Sequence, residues 1–249
     1  MVETKIVPSQ AALILEGKTR NLVVTDMHIG FEAGLASNDI FLGKNTSVNE
    51  IISELYKIID TTKPDSLILL GDIKSSIKSI SKNEWNDVPL FLEKMKNKID
   101  TTLIPGNHDS NIQKLIPDGI TLGSSNGMVI DNSLLTHGHT MPSENFAHVD
   151  RIIMGHVHPV FFQQDSVLNG HRVWVSIKTP KQTIFPSSSG EIEVTIIPSF
   201  NKYFYATHKK KYKKSISPII EKIKEISSAK IVTLDGAMIG NESLIDQVL

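Results

Sequence analysis

Three short apolar runs, each ended by a polar motif, constrain the fold more than any other feature of this chain. The runs are residues 22–25, 66–70 and 101–104. Continuous apolar and β-branched stretches of this length are typical of strands buried on both faces. Segments 47–60 and 84–97 lie between them and carry apolar residues at helical spacing. The alternation of strand and helix therefore predicts an α/β core.

The first helical segment also carries a start signal. Ser47 followed by Glu50 has the pattern of a capping box, and Pro64 follows the end of the segment. Residues 11–15 read as a further strand, joined to the 22–25 strand by a turn.

After about residue 120 the pattern changes to short strands separated by turns. The candidate strands are 128–130, 133–136, 152–154, 172–175 and 191–196. A second, mostly antiparallel sheet packed on the first is the arrangement that buries them.

The tail from residue 200 differs in composition, with nine lysines against five acids. We predict a main domain over 1–199 and a basic extension over 200–249 packed on it, with an amphipathic helix at 216–226 and a strand at 230–234. The lysine run at 209–214 is either a solvated face or a patch that contacts phosphates. Aromatic residues that could stack on bases lie around it, namely Tyr203, Phe204, Tyr205 and Tyr212.

Bulk composition limits the function classes. There is no cysteine, so disulfides and thiolate metal sites are excluded. A net charge of -1 gives no broad attraction for nucleic acid or membranes. No signal peptide and no apolar run of membrane-spanning length is visible, so the sequence predicts a cytoplasmic protein without membrane partners.

Five polar segments hold six of the nine histidines. They are DMH at 26–28, GD at 71–72, GNHD at 106–109, HGH at 137–139 and GHVH at 155–158. Each follows a predicted strand, and loops at the carboxyl ends of strands converge in α/β sheets. We therefore expect the five segments to meet at one site.

The residue types at this site are typical of divalent metal ligands. Mixed imidazole and carboxylate donors favour Mn, Fe, Zn, Co or Ni over Ca or Mg. Two such ions about 3.5–4 Å apart commonly share a bridging carboxylate, generate hydroxide near neutral pH and neutralise phosphate oxygens. This chemistry suits the hydrolysis of phosphate esters.

The ordered pattern D-x-H, G-D, G-N-H-D, H, G-H-x-H over residues 22–159 resembles the calcineurin-like metallophosphoesterases. The resemblance implies a four-layer α/β/β/α sandwich of two mixed sheets flanked by helices, and two divalent ions, of which Mn is favoured. The first ion would bind Asp26, His28, Asp72 and His158, and the second Asp72, Asn107, His137 and His156. His108 would protonate the leaving oxygen, and Asp109 would orient it.

A narrower resemblance points to the small ICC-like prokaryotic phosphoesterases. It rests on residues 30–36, 71–74, 155–159 and 197–201. Relatives in that group are linked with DNA processing, which implies a phosphodiesterase or nuclease acting on nucleic acid or nucleotides. Many nuclease-type relatives carry an acid three residues after the aspartate that both ions would share, which is Asp72 in this chain. Here that position is Ser75.

Several alternatives stay open from the sequence. The substrates could instead be small phosphomonoesters, or the chain could be a non-catalytic scaffold of the same fold, and it could form a homodimer. His139 could replace His137 as a ligand, although an outer role fits it better. Glu32, His148 and His171 are expected to have no role at the site.

Overall fold

The computed structural model describes residues 3–32, 46–203 and 217–249. The sequence predicts a long loop at 31–46, and most of it lies outside the described residues. The whole lysine run and the aromatic residues after Tyr203 also lie outside them.

Within the described residues, the first sheet has six strands in chain order and mixed direction. They are β1 (Glu3–Ile6), β2 (Leu13–Glu16), β3 (Arg20–Val24), β4 (Ser66–Leu70), β5 (Asp100–Ile104) and β6 (Thr121–Leu122). The strands β1 to β3 pair antiparallel, whereas β3 to β6 pair parallel. The carboxyl ends of β3, β4 and β5 therefore lie at the same edge.

Among the described residues, two helices cover the outer face of this sheet. They are α1 (Thr46–Thr62) and α2 (Lys82–Lys96). Their apolar faces pack on the sheet in one buried cluster, to which Leu55 and Phe91 contribute fully buried side chains. Both helices were predicted within two residues of their observed bounds, because their apolar spacing is strongly periodic.

The predicted capping box at α1 is wrong. Ser47 lies inside the helix, where its buried hydroxyl has no hydrogen-bond partner among the described residues. The Glu50 carboxylate instead accepts a hydrogen bond of 2.9 Å from the Tyr203 hydroxyl. A capping box is present at α2, where Ser81 and Glu84 exchange side-chain and backbone hydrogen bonds.

The second sheet has seven strands in the part of the chain that the structure describes, in the order β13-β12-β10-β11-β9-β8-β7. They are β7 (Met128–Ile130), β8 (Ser133–Leu135), β9 (Arg151–Met154), β10 (Val173–Pro180), β11 (Glu191–Ile196), β12 (Ser228–Thr233) and β13 (Met238–Gly240). Four pairs are antiparallel, and β8–β9 and β9–β11 are parallel. The predicted second, mostly antiparallel sheet is thus confirmed, with β8 and β9 ending at a common edge.

The two sheets pack face to face through buried side chains such as Leu15, Ile68 and Trp174. In the described residues, the outer face of the second sheet is covered by the short helix α3 (Pro218–Lys222) and by 3-10 turns, including Glu242–Gln247. The predicted sandwich of two mixed sheets flanked by helices is confirmed, and its fourth layer is thin in these residues.

The predicted helix at 216–226 is too long. Helix α3 ends at Lys222, because Ile223 adopts an extended conformation with ψ of 102°. Ile220, Ile223 and Ile226 nevertheless pack on the second sheet, so the apolar spacing indicated burial correctly and conformation incorrectly. No helix in the described ranges has the length and apolarity needed to cross a bilayer.

Candidate metal centre

The polar segments meet where the carboxyl ends of five strands come together. Segments 26–28, 71–72 and 106–109 follow β3, β4 and β5 of the first sheet, while 137–139 and 155–158 follow β8 and β9 of the second. Parallel pairing within each sheet places these ends side by side, and face-to-face packing joins the two edges. Residues that span more than half of the chain therefore form one cluster.

Asp72 lies at the middle of the cluster. Its Oδ2 is 3.2 Å from Nε2 of His137 and 3.8 Å from Nε2 of both His28 and His108. Its Oδ1 accepts a 2.8 Å hydrogen bond from the backbone N–H of His108. The backbone bond fixes the carboxylate, so that one oxygen faces imidazoles on both sides.

Asp26 is arranged in the same way on the other side. Its Oδ1 is 3.0 Å from Nε2 of His158, 3.8 Å from that of His28 and 3.9 Å from that of His137. Its Oδ2 accepts a 3.1 Å hydrogen bond from the backbone N–H of His156. Again one oxygen is held by the backbone and the other faces the ring nitrogens.

Within the described residues, three groups of side chains have ligand atoms within 4.8 Å of one another. They are Asp26, His28 and His158; His28, Asp72 and His108; and Asp72, His137 and His156. The first and third groups follow the predicted division between two metals. The middle group includes His108, the residue predicted to act as an acid.

Unsatisfied buried atoms test whether these residues fit metal ions. Asp26 Oδ1, Asn107 Oδ1 and His137 Nε2 are buried and make no hydrogen bond of normal geometry with the described residues. Buried polar atoms without partners are costly and uncommon. Since all three belong to predicted ligands, divalent ions would satisfy them, and the donor set fits a metal centre.

The His137 ring is held in the tautomer that such a ligand needs. Its Nδ1 lies 2.9 Å from the Leu70 carbonyl oxygen. Because a carbonyl oxygen can only accept a hydrogen bond, Nδ1 carries the hydrogen and donates it. The ring therefore directs Nε2 toward Asp72. Fixing one ring nitrogen on a carbonyl in this way is the usual arrangement for metal-binding histidines.

Electrostatics keep both carboxylates ionised. Burial raises the pKa of Asp72, but His137, His28 and His108 hold it well below its usual range. Burial likewise acts against ionisation of Asp26, yet His158 and His137 lower its pKa to about 2. Two buried negative charges side by side require compensation by positive charge.

The histidines of the cluster differ in how burial and the neighbouring charges change their pKa. Burial alone would lower the pKa of His137, but Asp72 and then Asp26 raise it to about 10. Burial and then His137 lower the pKa of His156 to about 4, and burial lowers that of His28. His137 thus supplies positive charge that a divalent cation would replace, whereas His28 and His156 are neutral and ready to coordinate.

The backbone at the site is strained. Positive φ angles occur at Asp26 (58°), His28 (44°), Asp72 (51°), His156 (69°) and His158 (50°). Such angles are unfavourable for residues with a side chain and are concentrated at functional sites. The angles at Asp26, His28 and Asp72 lie in the loops after β3 and β4, which are joined by hydrogen bonds from the N–H of Asp26 to the Gly71 carbonyl and from that of His28 to the Asp72 carbonyl.

Glycines in the motifs permit close packing around the carboxylates. A Cβ atom at Gly106 would lie 2.2 Å from Asp72 Oδ1. One at Gly155 would lie 2.1 Å from Thr25 Oγ1 and 2.6 Å from Asp26 Oδ2. Neither contact is tolerable, so a side chain at either position would displace a candidate ligand.

We therefore expect Gly155→Ala to weaken metal binding by about 10–100-fold, the range seen when a group that orients a ligand is disturbed. Isothermal titration with Mn²⁺ measures this change. Gly123→Ala is the matched control, because a Cβ there meets no atom closer than 3.4 Å. Equal metal affinity in the two variants would contradict the packing argument.

The predicted role of Asp109 needs correction. Its Oδ1 accepts from the backbone N–H groups of Ile73 (2.9 Å) and Lys74 (3.3 Å), and its Oδ2 accepts from that of Gly106 (2.8 Å). The His108 Nδ1 instead contacts the carbonyl oxygen of Ser75. Asp109 joins the loops after β4 and β5, so any effect on His108 is indirect.

A segment near residue 200 supports the first motif. Ser199 Oγ donates to the Asp26 carbonyl at 3.0 Å, Asn201 Nδ2 donates to the Met27 carbonyl at 2.9 Å, and the Phe200 N–H donates to the Thr25 carbonyl at 3.0 Å. The role of these residues was not predicted from the sequence, where their one signal was that the segment forms part of the narrower family resemblance.

The residues that were expected to be secondary lie outside the three ligand groups. The half-buried His139 ring is centred 5.4 Å from that of His137 and 6.1 Å from that of His156. Glu32 is half-buried, and His148 and His171 are exposed. The position of His139 agrees with a role in the surroundings of the ligands.

Comparison with known proteins identifies one matching family model. The calcineurin-like phosphoesterase model matches residues 19–140, which contain the first four polar segments. No curated protein matches by sequence.

Among solved structures, the nuclease MPE from Pseudomonas putida aligns with 94% of this chain and 98% of its own, at 17% identity and a TM-score of 0.52. Yfce, a phosphoesterase from E. coli, aligns with 90% of this chain and 98% of its own, at 15% identity and a TM-score of 0.39. The first of these similarities shows a shared fold.

Proposed function

The chain belongs to the calcineurin-like phosphoesterase family, and on that premise we propose that it hydrolyses phosphodiesters at a centre of two divalent cations. The observation that carries the proposal is the position of Asp72. One oxygen of this buried carboxylate faces His28 on one side and His137 on the other, as a ligand shared by two ions must.

The two ions would be held by overlapping sets of residues. Asp26, His28, Asp72 and His158 would bind the first, and Asp72, Asn107, His137 and His156 the second. Nitrogen and oxygen donors without thiolates suit manganese, iron, zinc, nickel or cobalt, and we favour manganese among them because of the family resemblance. When bound, the ions would activate a water for attack and offset the charge of the phosphate.

His108 is suited to deliver a proton to the leaving oxygen. Its side chain is 18% exposed, which leaves it accessible to a substrate, and its Nε2 faces the cluster 3.8 Å from Asp72 Oδ2. The Ser75 carbonyl accepts a hydrogen bond from Nδ1. The ring is thus anchored at that nitrogen and presents Nε2 to the site, from which a proton would be delivered.

Two features support diesters of nucleic acid or nucleotides over small monoesters. One is the narrower sequence resemblance to the ICC-like group. The other is the half-exposed side chain of Ile77, which lies on the same loop as Ser75. The Ile77 carbonyl accepts a hydrogen bond from the hydroxyl of Ser110, two residues after His108, so this loop is held next to His108. An apolar surface there could contact the organic group of a second ester bond.

The test is a comparison of Mn²⁺-dependent hydrolysis across bis-p-nitrophenyl phosphate, p-nitrophenyl phosphate, cyclic nucleotides, and single- and double-stranded DNA. We expect diesters to be cleaved with the higher kcat/KM, and chelation to abolish turnover. Preference for the monoester would make the chain a phosphomonoesterase. No hydrolysis of any substrate by metal-loaded protein would favour the scaffold alternative.

Metal binding should also stabilise the protein, because it relieves the buried charges and satisfies the orphaned atoms. Free Mn²⁺ at 100 times its dissociation constant should add about 2.7 kcal/mol per site, or about 5–10 °C in Tm. Thermal unfolding with Mn²⁺ and with EDTA measures the shift. His137→Ala should reduce it, while the exposed control His148→Ala should keep it. A Tm independent of metal would contradict the proposed centre.

A further inference from the structure

Glu84 is a buried carboxylate that does more than cap its helix. Its Oε2 accepts from the Ser81 N–H at 2.6 Å, which is the capping bond of α2. Its Oε1 accepts from the N–H of Ser75 at 3.0 Å and from that of Ser76 at 2.6 Å. One side chain thus ties the start of α2 to the loop after β4.

The carbonyl groups of that loop also accept hydrogen bonds from a buried side chain. Lys74 is fully buried, and its ammonium group donates to the Ser76 carbonyl and, at 3.1 Å, to that of Ser79. Two buried side chains of opposite charge therefore hold one short loop, Glu84 through N–H groups and Lys74 through carbonyl groups. Hydrogen bonds to charged groups are among the stronger ones in proteins.

Glu84 also packs against the loop that carries the first motif. A Cβ atom at Gly30 would lie 2.7 Å from Glu84 Cγ, so this glycine makes room for the carboxylate stem. The Ser75 N–H that donates to Glu84 also donates to the Ile29 carbonyl at 3.0 Å. Glu84 thus lies where the loops after β3 and β4 meet the start of α2.

The Ser75 peptide is what connects this arrangement to the site. Its N–H is held by Glu84 and Ile29, and its carbonyl contacts His108 Nδ1. No described side chain forms a hydrogen bond with the His108 ring; the backbone of Ser75 does so instead. The orientation of that backbone therefore sets the direction in which His108 Nε2 points.

We propose that Glu84 is a positioning residue for His108, acting through the Ser75 peptide. The inference deepens the proposed function, on which it rests for the role of His108 as proton donor. If Glu84 no longer accepts from the loop N–H groups, the Ser75 carbonyl turns and the His108 ring loses its anchor. Misplacing a catalytic group by about 1 Å can cost about 100-fold in rate.

The test uses Glu84→Gln in the full-length, metal-loaded protein, because the amide preserves the size of the side chain. The substrates are aryl phosphodiesters whose phenols differ in acidity. For poor leaving groups, which need protonation, we expect kcat to fall at least about tenfold. For p-nitrophenol, a good leaving group, the change should be small, with KM and metal content unchanged.

A double-mutant cycle separates positioning from general stability. In a His108→Ala background, Glu84→Gln should have almost no further effect, since two residues acting as one unit are non-additive. Asp87→Asn, which removes another buried carboxylate of α2, is the matched control and should leave kcat unchanged. Amide hydrogen exchange supplies a readout besides activity, and exchange at Ser75 and Ser76 should be faster in Glu84→Gln.

The outcomes distinguish the two proposals. A wild-type protein that binds Mn²⁺ but hydrolyses no ester would overturn the proposed function and with it this role of Glu84. An active wild type in which the Glu84→Gln penalty is equal for all leaving groups, or persists without His108, would overturn the role of Glu84 alone.

Discussion

Asp72→Asn should reduce turnover of a phosphodiester by more than about 100-fold, because even outer partners of metal ligands cost about 10–100-fold when removed. The asparagine keeps the size of the side chain and can keep the hydrogen bond from the His108 N–H. It loses the negative charge that both ions would share. The variant should bind less than two equivalents of Mn²⁺.

The measurement is kcat/KM together with metal stoichiometry by elemental analysis. Asp118→Asn, which changes an exposed carboxylate, is the control and should retain both. If Asp72→Asn kept full turnover and two bound metals, Asp72 could not be the shared ligand, and the dinuclear assignment would be wrong.

His108→Ala should lower kcat by about 10²–10⁴-fold, the usual contribution of a general acid. The loss should be greatest for poor leaving groups, which leave as alkoxides unless they are protonated. Metal content should stay at the wild-type value, because the ligands proposed for both ions do not include His108.

His148→Ala serves as the control, since this exposed imidazole makes a local hydrogen bond to the Asn145 carbonyl and lies outside the three ligand groups. The middle ligand group, which joins His108 to His28 and Asp72, makes the stoichiometry informative. Loss of one metal equivalent in His108→Ala would show that His108 is a ligand and not an acid.

The regular elements of the fold could be predicted because their patterns are local. Strand β4 is a continuous apolar run with the bounds that the sequence indicated, and helix α1 has an unbroken apolar stripe. The short strands β1, β6 and β13 were missed. Two to four residues carry too little periodicity, and pairing with a neighbouring strand defines them.

Local patterns misled where a tertiary contact competes with them. Ser47 and Glu50 have the spacing of a capping box, but Glu50 bonds to Tyr203 across more than 150 residues of sequence. The isoleucines after residue 216 have helical spacing, yet only five residues form α3 before the chain becomes extended. In both cases packing on the remainder of the molecule outweighed a modest local preference.

The sequence by itself determined the chemistry that the site can carry. Without cysteine, the donors are limited to imidazole, carboxylate and amide groups, and their order along the chain is enough to indicate the family. Strand ends predicted that these groups would meet. These inferences hold because residue type and position after a strand are properties of the chain itself.

Only the tertiary structure decided how the groups are held. It directs one oxygen of Asp72 and one of Asp26 into the centre, and it turns Asp109 toward the backbone of two loops. The His108 ring is held by the Ser75 carbonyl, and the Ser75 peptide is in turn held by Glu84. Hydrogen bonds between distant loops depend on the path of the backbone in space, which residue order does not specify.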